Sequence, residues 1–232
     1  MNDKIAILGA GPLASILARR IPSSVRKVII GRPKAAAVAL ADEVGGIASD
    51  QASAVRGCRV VFLTVPAGEV SQALSDIQPH LSAEALVVNT ATELTVSDLT
   101  ETTGLRIAAA KVIGHADDMA LGSPGVVVLD QVDPADAELL ETLLEQVGPV
   151  VRGDERRVQA ALEAIRDVMV GARDDLHRRL VATGLPPEVA SVAIAAAAPG
   201  VLRAVAGEGE MAGREGWRYA GADETAASRV SQ

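Results

Sequence analysis

Residues 4–14 read Lys-Ile-Ala-Ile-Leu-Gly-Ala-Gly-Pro-Leu-Ala. A short apolar run enters a glycine turn, and apolar residues at helical spacing follow it. This order is the G-x-G-x-x-A form of the dinucleotide-binding fingerprint. Gly9 permits the tight turn, Gly11 lets the backbone approach a pyrophosphate, and Ala14 lets the helix pack closely on the strand. A plain strand–helix turn is the alternative interpretation.

The helix that begins after this turn is expected to present free N–H groups and a positive dipole end to the phosphates of a dinucleotide. Pro12 suits an early helical position, where its missing N–H costs little. We therefore expect Gly9, Gly11, Pro12 and Leu13 to bind the cofactor.

The end of the second predicted strand indicates which dinucleotide binds. NAD-preferring sites place a carboxylate there to hold the ribose hydroxyls. Here the sequence is Ile30-Gly31-Arg32-Pro33-Lys34, and a guanidinium can bind a phosphate with two parallel hydrogen bonds. Arg32 and Lys34 therefore predict NADP(H) as the cofactor, the alternative being that both are solvated turn residues.

Two further strand ends supply candidate cofactor contacts, because ligands of doubly wound sheets lie beyond the carboxyl ends of the strands. Thr64, Val65 and Pro66 follow one apolar run, and we expect them to border the cofactor. Asn89 ends the next run and could offer its amide near the nicotinamide ribose. For Asn89 a polar cap at the strand end is an equal alternative.

Apolar strand-like runs alternate with helix-like stretches through residues 1–152. Continuous apolar strands between helices predict a sheet buried on both faces, and hence a doubly wound α/β domain of Rossmann type with a parallel sheet. The predicted strands are Ile5–Leu8, Lys27–Ile30, Val60–Thr64, Leu86–Asn89, Ile107–Val112 and Val126–Leu129. The predicted helices are Ala14–Arg20, Ala35–Val44, Val70–Ile77, Thr95–Thr100 and Ala135–Val147.

Residues 153–232 predict a smaller all-α domain. A long helix is expected over Arg156–Thr183, ended by Gly184, and a second over Glu188–Ala198, with Pro199 as a break or kink. Because a helix of this length is too long for a small globule to cover, we expect a homodimer formed through the helices of residues 154–206. The segment Gly207–Gln232 is expected to be loose.

Composition excludes several function classes. The net charge is −8 and aromatic residues make up 1% of the 232, so neither a basic stripe nor an aromatic–basic surface for nucleic acid is expected. No apolar run approaches the roughly 20 residues of a membrane span. The first residues lack the basic region of a signal peptide, and the single Cys58 fits a reducing compartment. We expect a soluble cytoplasmic protein.

One histidine is a candidate catalytic residue. His115 follows a predicted strand and Gly114, so it is expected at the ligand-facing edge, where it could protonate or orient a substrate. A hydrogen-bonded loop histidine is the alternative. Asp117 and Asp118 lack further ligands at useful spacing, so no metal site is expected.

The chain resembles the pyrroline-5-carboxylate reductase-like group, which shares its N-terminal domain with coenzyme F420-dependent NADP oxidoreductases. The matching segments are residues 7–14, 31–32, 61–66, 87–89, 147–150 and 184–190. The resemblance implies NADPH-dependent hydride transfer to a C=N bond and a helical dimerisation domain with helices exchanged between partners. The family's two substrate-binding segments are replaced by residues 113–117 and 158–164, so proline synthesis itself is not expected.

The leading hypothesis is an NADPH-dependent oxidoreductase that transfers hydride to a small imine or carbonyl substrate. One alternative is a non-catalytic NADP(H)-binding sensor or regulatory subunit. Another is an F420-dependent NADP reductase.

Overall fold

The computed structural model describes residues 4–208. Eight strands form one sheet in the order β3-β2-β1-β4-β5-β6-β7-β8. The strands are β1 Lys4–Leu8, β2 Arg26–Ile30, β3 Ile47–Ser49, β4 Val60–Leu63, β5 Leu86–Asn89, β6 Ile107–Ile113, β7 Val126–Asp130 and β8 Val150–Arg152. The order of the first six is that of a Rossmann sheet, which confirms the predicted fold class.

Eight α-helices accompany the strands within the described part of the chain. They are α1 Pro12–Arg20, α2 Lys34–Val44, α3 Ala67–Ile77, α4 Val96–Thr103, α5 Ala116–Ala120, α6 Pro134–Leu144, α7 Glu155–Ala182 and α8 Pro187–Glu208. Two short 3₁₀ segments, Ala52–Val55 and Gln78–His80, stand beside them. The predicted helices are present, with ends that differ by a few residues.

The sheet is buried on both faces because its central strands are apolar throughout. Ile5 and Ile7 enter one core cluster, whereas Ala6 and Leu8 enter the other. The same alternation continues along β4, where Phe62 is fully buried. Since successive side chains of a strand point to opposite faces, a continuous apolar run specifies helices on both sides of the sheet.

One strand departs from the predicted parallel sheet, because β7 runs antiparallel to β6. A parallel return needs a crossover, usually an α-helix, that carries the chain back to the other end of the sheet. The connection contains only α5, whose five residues rise about 7 Å. That is shorter than a five-residue strand of about 17 Å, so the chain turns back beside β6. All other pairings are parallel.

Two strands were not predicted. Ile47–Ser49 and Val150–Arg152 each have three residues and form the two edges of the sheet. Strands this short carry little periodicity, and the pairing of β3 with β2 and of β8 with β7 defines them.

The chain divides into two compact units, Met1–Leu162 and Glu163–Gln232. The long helix confirms the prediction for Arg156–Thr183 to within one residue at each end, and Gly184 follows it with a φ of 96°, a value that favours glycine. The second helix was predicted over Glu188–Ala198 with Pro199 as a break or kink, and a break there was wrong, since α8 continues through this proline.

Most of the segment Gly207–Gln232 lies outside the described residues, so the prediction that it is loose stays open. Over residues 4–208, no helix combines the length and apolarity that crossing a membrane requires.

Candidate cofactor-binding site

The glycine turn after β1 is fixed by contacts that leave no room for a side chain at Gly9. Its φ is 129°, and its N–H donates to the carbonyl of Ile30 at 2.7 Å. A Cβ at this position would lie 2.5 Å from Oγ1 of Thr64 and 2.8 Å from its carbonyl oxygen. Thr64 is itself held in place, because Oγ1 donates to the carbonyl of Leu8 at 2.9 Å.

Gly11 has the opposite surroundings. A Cβ there would meet no atom within 4 Å, and the residue is the N-cap of α1 without a side-chain hydrogen bond to the helix. Pro12 occupies the first position of the helix. Gly11 and Pro12 are both exposed, so a phosphate can approach the amino end of α1, where helices bind anions. The residues present fit the pyrophosphate of a dinucleotide.

A cavity of about 420 Å³ lies at the carboxyl ends of β4, β5 and β6; we call it the β4–β6 cavity. It is lined by Leu13, Ile16, Thr64, Val65, Pro66, Ala67, Thr90, Ala91, Thr92, Glu93, Val112, Gly114, Ala116 and Met119. Four residues predicted to bind the cofactor are thereby brought together: Leu13, Thr64, Val65 and Pro66. Val65 is half-buried and held between β4 and the proline.

A second cavity of about 430 Å³ follows β2 and β3; we call it the β2–β3 cavity. It is lined by Arg32, Pro33, Lys34, Asp50, Gln51, Ala52, Ser53, Asp76 and His80. Since β1 stands between β2 and β4 in the sheet, the two cavities lie on opposite sides of the glycine turn. The predicted pair Arg32 and Lys34 is present in this second cavity.

Both cations of the β2–β3 cavity are exposed and each faces a carboxylate. Nη2 of Arg32 lies 3.5 Å from Oδ2 of Asp76, and Nζ of Lys34 lies 4.0 Å from Oδ1 of Asp50. The pKa of Asp50 is lowered, mainly by the hydrogen bond from the Gln51 side chain, with Lys34 adding to the effect. Exposed ion pairs of this kind contribute little stability, so a phosphate could replace the carboxylates as partner.

Residues 4–93 match the family model described as NADP oxidoreductase, coenzyme F420-dependent. The match covers the glycine turn, the cations after β2 and Thr64–Pro66. The similarity to this family covers these residues, which we call the family-matched segment, and it confirms the resemblance seen in the sequence.

Solved structures with the same fold extend the likeness along the chain. A pyrroline-5-carboxylate reductase from Coxiella burnetii superposes with a TM-score of 0.70 and 18% identity, covering 90% of this chain and 82% of that one. A pyrroline carboxylate reductase from Plasmodium falciparum with NADP bound has a TM-score of 0.64 and 16% identity, and the match covers 90% of this chain and 80% of that one. An imine reductase variant from Myxococcus stipitatus in complex with NAD+ has a TM-score of 0.64 and 19% identity, and the match covers 89% of this chain and 75% of that one.

Comparison with curated proteins yields no significant sequence match. The matched family is described as an NADP oxidoreductase, and the structural neighbours named above are reductases, two of them solved with NADP or NAD+.

Asn89, near the end of the family-matched segment, was predicted either to contact the nicotinamide ribose or to cap the strand end. Its side chain is fully buried. Nδ2 donates to the carbonyl of Leu94 at 2.8 Å, and Oδ1 accepts from the N–H of Ala91 at 3.0 Å. Because both polar atoms serve the following loop, the structure favours the alternative of a polar cap at the strand end.

His115 lies beyond the family-matched segment, as the N-cap residue of α5. Its side chain is 72% exposed, and Nδ1 lies 3.6 Å from Oδ2 of Asp118. The β4–β6 cavity is lined by its neighbours Gly114 and Ala116, and His115 is not part of that lining. The structure thus places it beside the cavity, and its catalytic role stays a prediction.

Sequence reasoning missed the loop Thr90–Thr95 between β5 and α4, here called the β5–α4 loop, of which Thr90, Ala91, Thr92 and Glu93 line the β4–β6 cavity. The signal was available, since these residues follow an apolar strand just as Thr64 does. Asp76 of the β2–β3 cavity was also missed, and it lies on α3, far along the chain from Arg32. The search of residues 4–208 for clusters of three or more His, Cys, Asp or Glu side chains able to hold a metal found none.

Proposed function

We propose that this protein is an NADPH-dependent reductase of a small imine or carbonyl compound. The observation that carries the proposal is the position of the two cavities on either side of the glycine turn. A dinucleotide has two halves joined by a pyrophosphate. The turn with its open Gly11 fits the pyrophosphate, so each half would extend into one cavity.

The β2–β3 cavity is proposed to hold the adenosine half. Arg32 and Lys34 would bind a 2′-phosphate, since they are the cations that line the cavity among the described residues. A guanidinium can also stack on adenine. NADP(H) rather than NAD(H) is therefore the proposed cofactor.

The β4–β6 cavity is proposed to hold the nicotinamide half and the substrate. The bound reduced cofactor would supply a hydride, and the protein's own part is to orient the two reactants and exclude water. Apolar residues such as Leu13, Val112 and Met119 form much of the lining. The hydroxyl groups of Thr64 and Thr90 are occupied by carbonyl acceptors, so they stiffen this wall.

Reduction of an imine adds hydride to carbon and one proton to nitrogen, which gives an amine and the oxidised cofactor. We propose His115 as the proton donor, since it lies between two residues that line the cavity. A His115→Asn variant is expected to lower kcat at least about tenfold, within the range that general acid catalysis contributes. An unchanged kcat would remove His115 from the reaction. His177→Asn on α7 is the matched control.

The experiment that tests the function is NADPH oxidation, followed at 340 nm, across a panel of cyclic imines, keto acids and coenzyme F420. Turnover of an imine or carbonyl compound is expected. Turnover of F420 alone would support the function of the family that residues 4–93 match. Tight NADPH binding without any turnover would contradict a reductase and support a sensor or regulatory subunit.

We also propose that the protein is a homodimer formed through helices of residues 154–206. Within the unit Glu163–Gln232, many apolar side chains on the described helices are exposed. These are Ile165, Val168, Met169, Val170 and Leu176 on α7, and Val189, Val192, Val201 and Leu202 on α8. Exposed apolar surface of this extent is typical of a protein–protein interface, and a second copy is the proposed partner.

A further inference from the structure

One lysine within a strand of the sheet is buried. Lys111 lies on β6, and its side chain is 1% exposed. Its ammonium group donates to the carbonyl of Leu94 at 2.8 Å and to the carbonyl of Ala91. Both acceptors belong to the β5–α4 loop, so one ammonium group holds the backbone of this loop at two points.

The partner of this lysine is Glu155, the first residue of α7, whose side chain is also 1% exposed. Its Oε2 lies 3.3 Å from Nζ of Lys111, and its Oε1 accepts from the N–H of Val96 at 2.7 Å. Burial lowers the pKa of Lys111, while the carboxylate of Glu155 opposes that shift. The pair thus reaches the far end of the same loop, where α4 begins.

Asn89 completes the network from the strand side. It binds the carbonyl of Leu94 and the N–H of Ala91, the same two residues that Lys111 contacts. The backbone is therefore fixed on both sides of Thr92 and Glu93. These two residues line the β4–β6 cavity. The contacts that Asn89 and Lys111 make with Ala91 and Leu94 therefore set this part of the cavity lining.

A buried ion pair is an expensive way to stabilise a fold, because desolvation of two charges offsets much of their attraction. Apolar residues of similar volume often serve stability equally well. What they cannot do is bind two carbonyls of the β5–α4 loop together with the N–H of Val96, where the loop ends. The geometry therefore points to a role in setting the shape of the loop.

We propose that Lys111 and Glu155 are positioning residues that hold the β5–α4 loop in the form that receives the nicotinamide half of the cofactor. The inference rests on the proposed function, because it takes the β4–β6 cavity as the nicotinamide side. It predicts that substitutions in the pair weaken binding of the nicotinamide half of the cofactor and leave binding of the adenosine half unchanged.

The test compares two ligands in binding experiments. NADPH has both halves, whereas 2′,5′-ADP has the adenosine half without nicotinamide. In Lys111→Met and Glu155→Gln, the affinity for NADPH is expected to fall about tenfold, the equivalent of one hydrogen bond. The affinity for 2′,5′-ADP is expected to stay within about twofold.

Lys27→Met is the matched control. Lys27 is also buried in the sheet, at 4% exposure, and donates to the carbonyl of Pro22 at 3.0 Å. That carbonyl belongs to the connection before β2, which does not line the β4–β6 cavity. The control therefore removes a buried ammonium of the same kind and should leave both affinities close to those of the unmodified protein.

Hydrogen exchange gives a second readout that does not depend on any ligand. Lys111→Met is expected to accelerate exchange over residues 91–96 and to leave β1 and β4 protected. Should Lys111→Met not fold, Glu155→Gln keeps the side-chain volume and serves for both measurements.

Equal losses for NADPH and 2′,5′-ADP, or unchanged NADPH affinity with unchanged loop exchange, would overturn the proposal. Failure of the unmodified protein to bind either ligand would instead contradict the proposed function, and loop exchange would then decide the positioning role alone.

Discussion

Arg32 and Asp76 face each other in the β2–β3 cavity, with 3.5 Å between Nη2 and Oδ2. The guanidinium side chain is 76% exposed and the carboxylate 33% exposed. An ion pair this open is worth at most about 1 kcal/mol. A 2′-phosphate, with more charge and more acceptor oxygens, could therefore displace Asp76 from Arg32 at small cost.

The Arg32–Asp76 pair leads to a prediction about cofactor preference. Arg32→Ala should remove a charge-assisted contact worth about 1.5–3 kcal/mol, which lowers NADPH affinity by about 10- to 150-fold. NADH, which lacks the 2′-phosphate, should change by less than about threefold. Asp76→Asn should raise the affinity for NADPH relative to that for NADH, because Arg32 loses its competing carboxylate partner. Fluorescence titration measures both ligands.

The control for this prediction is Arg26→Ala. It removes an exposed arginine from the amino end of β2, the strand that precedes Arg32. It should leave both affinities unchanged. Equal effects of Arg32→Ala on NADPH and NADH would show that the 2′-phosphate does not bind there.

Changing each glycine of the turn to alanine should have a different effect: one substitution should lower stability and the other should lower cofactor affinity. Gly9→Ala brings a methyl group against Thr64 at a positive φ, and such strain costs about 1–3 kcal/mol of stability. Gly11→Ala meets open space in the protein, so the fold should tolerate it while cofactor binding falls. Thermal denaturation with and without NADPH separates the two effects. Stable Gly9→Ala protein, or full NADPH binding by Gly11→Ala, would contradict these assignments.

The proposed dimer predicts that a charge on the exposed apolar surface will separate the copies. Val168 is 64% exposed on α7 and Val192 is 69% exposed on α8. Val168→Glu and Val192→Glu should each shift sedimentation equilibrium toward the monomer. Arg166→Glu introduces the same residue at an exposed polar position of α7 and should have a smaller effect. A monomeric unmodified protein would refute the dimer.

The amino end of α4 predicts a pH-dependent stability. Thr95 donates hydrogen bonds to the carboxylate of Asp98 from both its hydroxyl and its N–H, and these contacts lower the pKa of Asp98. Because the folded-state pKa is depressed, the stabilisation is present at neutral pH and is lost as the pH falls through about 4 and below. Asp98→Asn should therefore be less stable than the unmodified protein at pH 7, with the difference shrinking in acid. Urea denaturation at several pH values measures it.

Glu101→Gln, on the exposed part of the same helix, is the control and should show no such trend. A constant stability difference for Asp98→Asn across the pH range would mean that the capping carboxylate is not the cause.

Local sequence signals were sufficient for the first strand, the glycine turn and the helix that follows it. The run Ile5–Leu8 and the glycines after it define a strand, a turn and a helix without help from distant residues, and the structure confirms each. The same holds for α7, whose apolar residues recur at helical spacing. The antiparallel β7 depended instead on how far a five-residue helix can carry the chain, which no periodicity shows.

The parts of the site that escaped prediction depend on residues far apart in the chain. Glu155 meets Lys111 and Val96 only after α7 begins beside α4, and nothing near Glu155 in the sequence signals this. Lys111 did offer a clue, since a lysine within the apolar strand Ile107–Ile113 needs a buried partner. Asn89 was correctly placed at a strand end, but the direction of its amide depends on the loop that it holds.

The glycine turn and Arg32 are proposed to form a binding site for NADPH. Isothermal titration calorimetry of the unmodified protein with NADPH and with NADH tests it most directly. One NADPH per chain is expected, bound at least about tenfold more tightly than NADH, as one charge-assisted contact to the 2′-phosphate would give. Absence of heat with both dinucleotides, or tighter binding of NADH, would contradict the account.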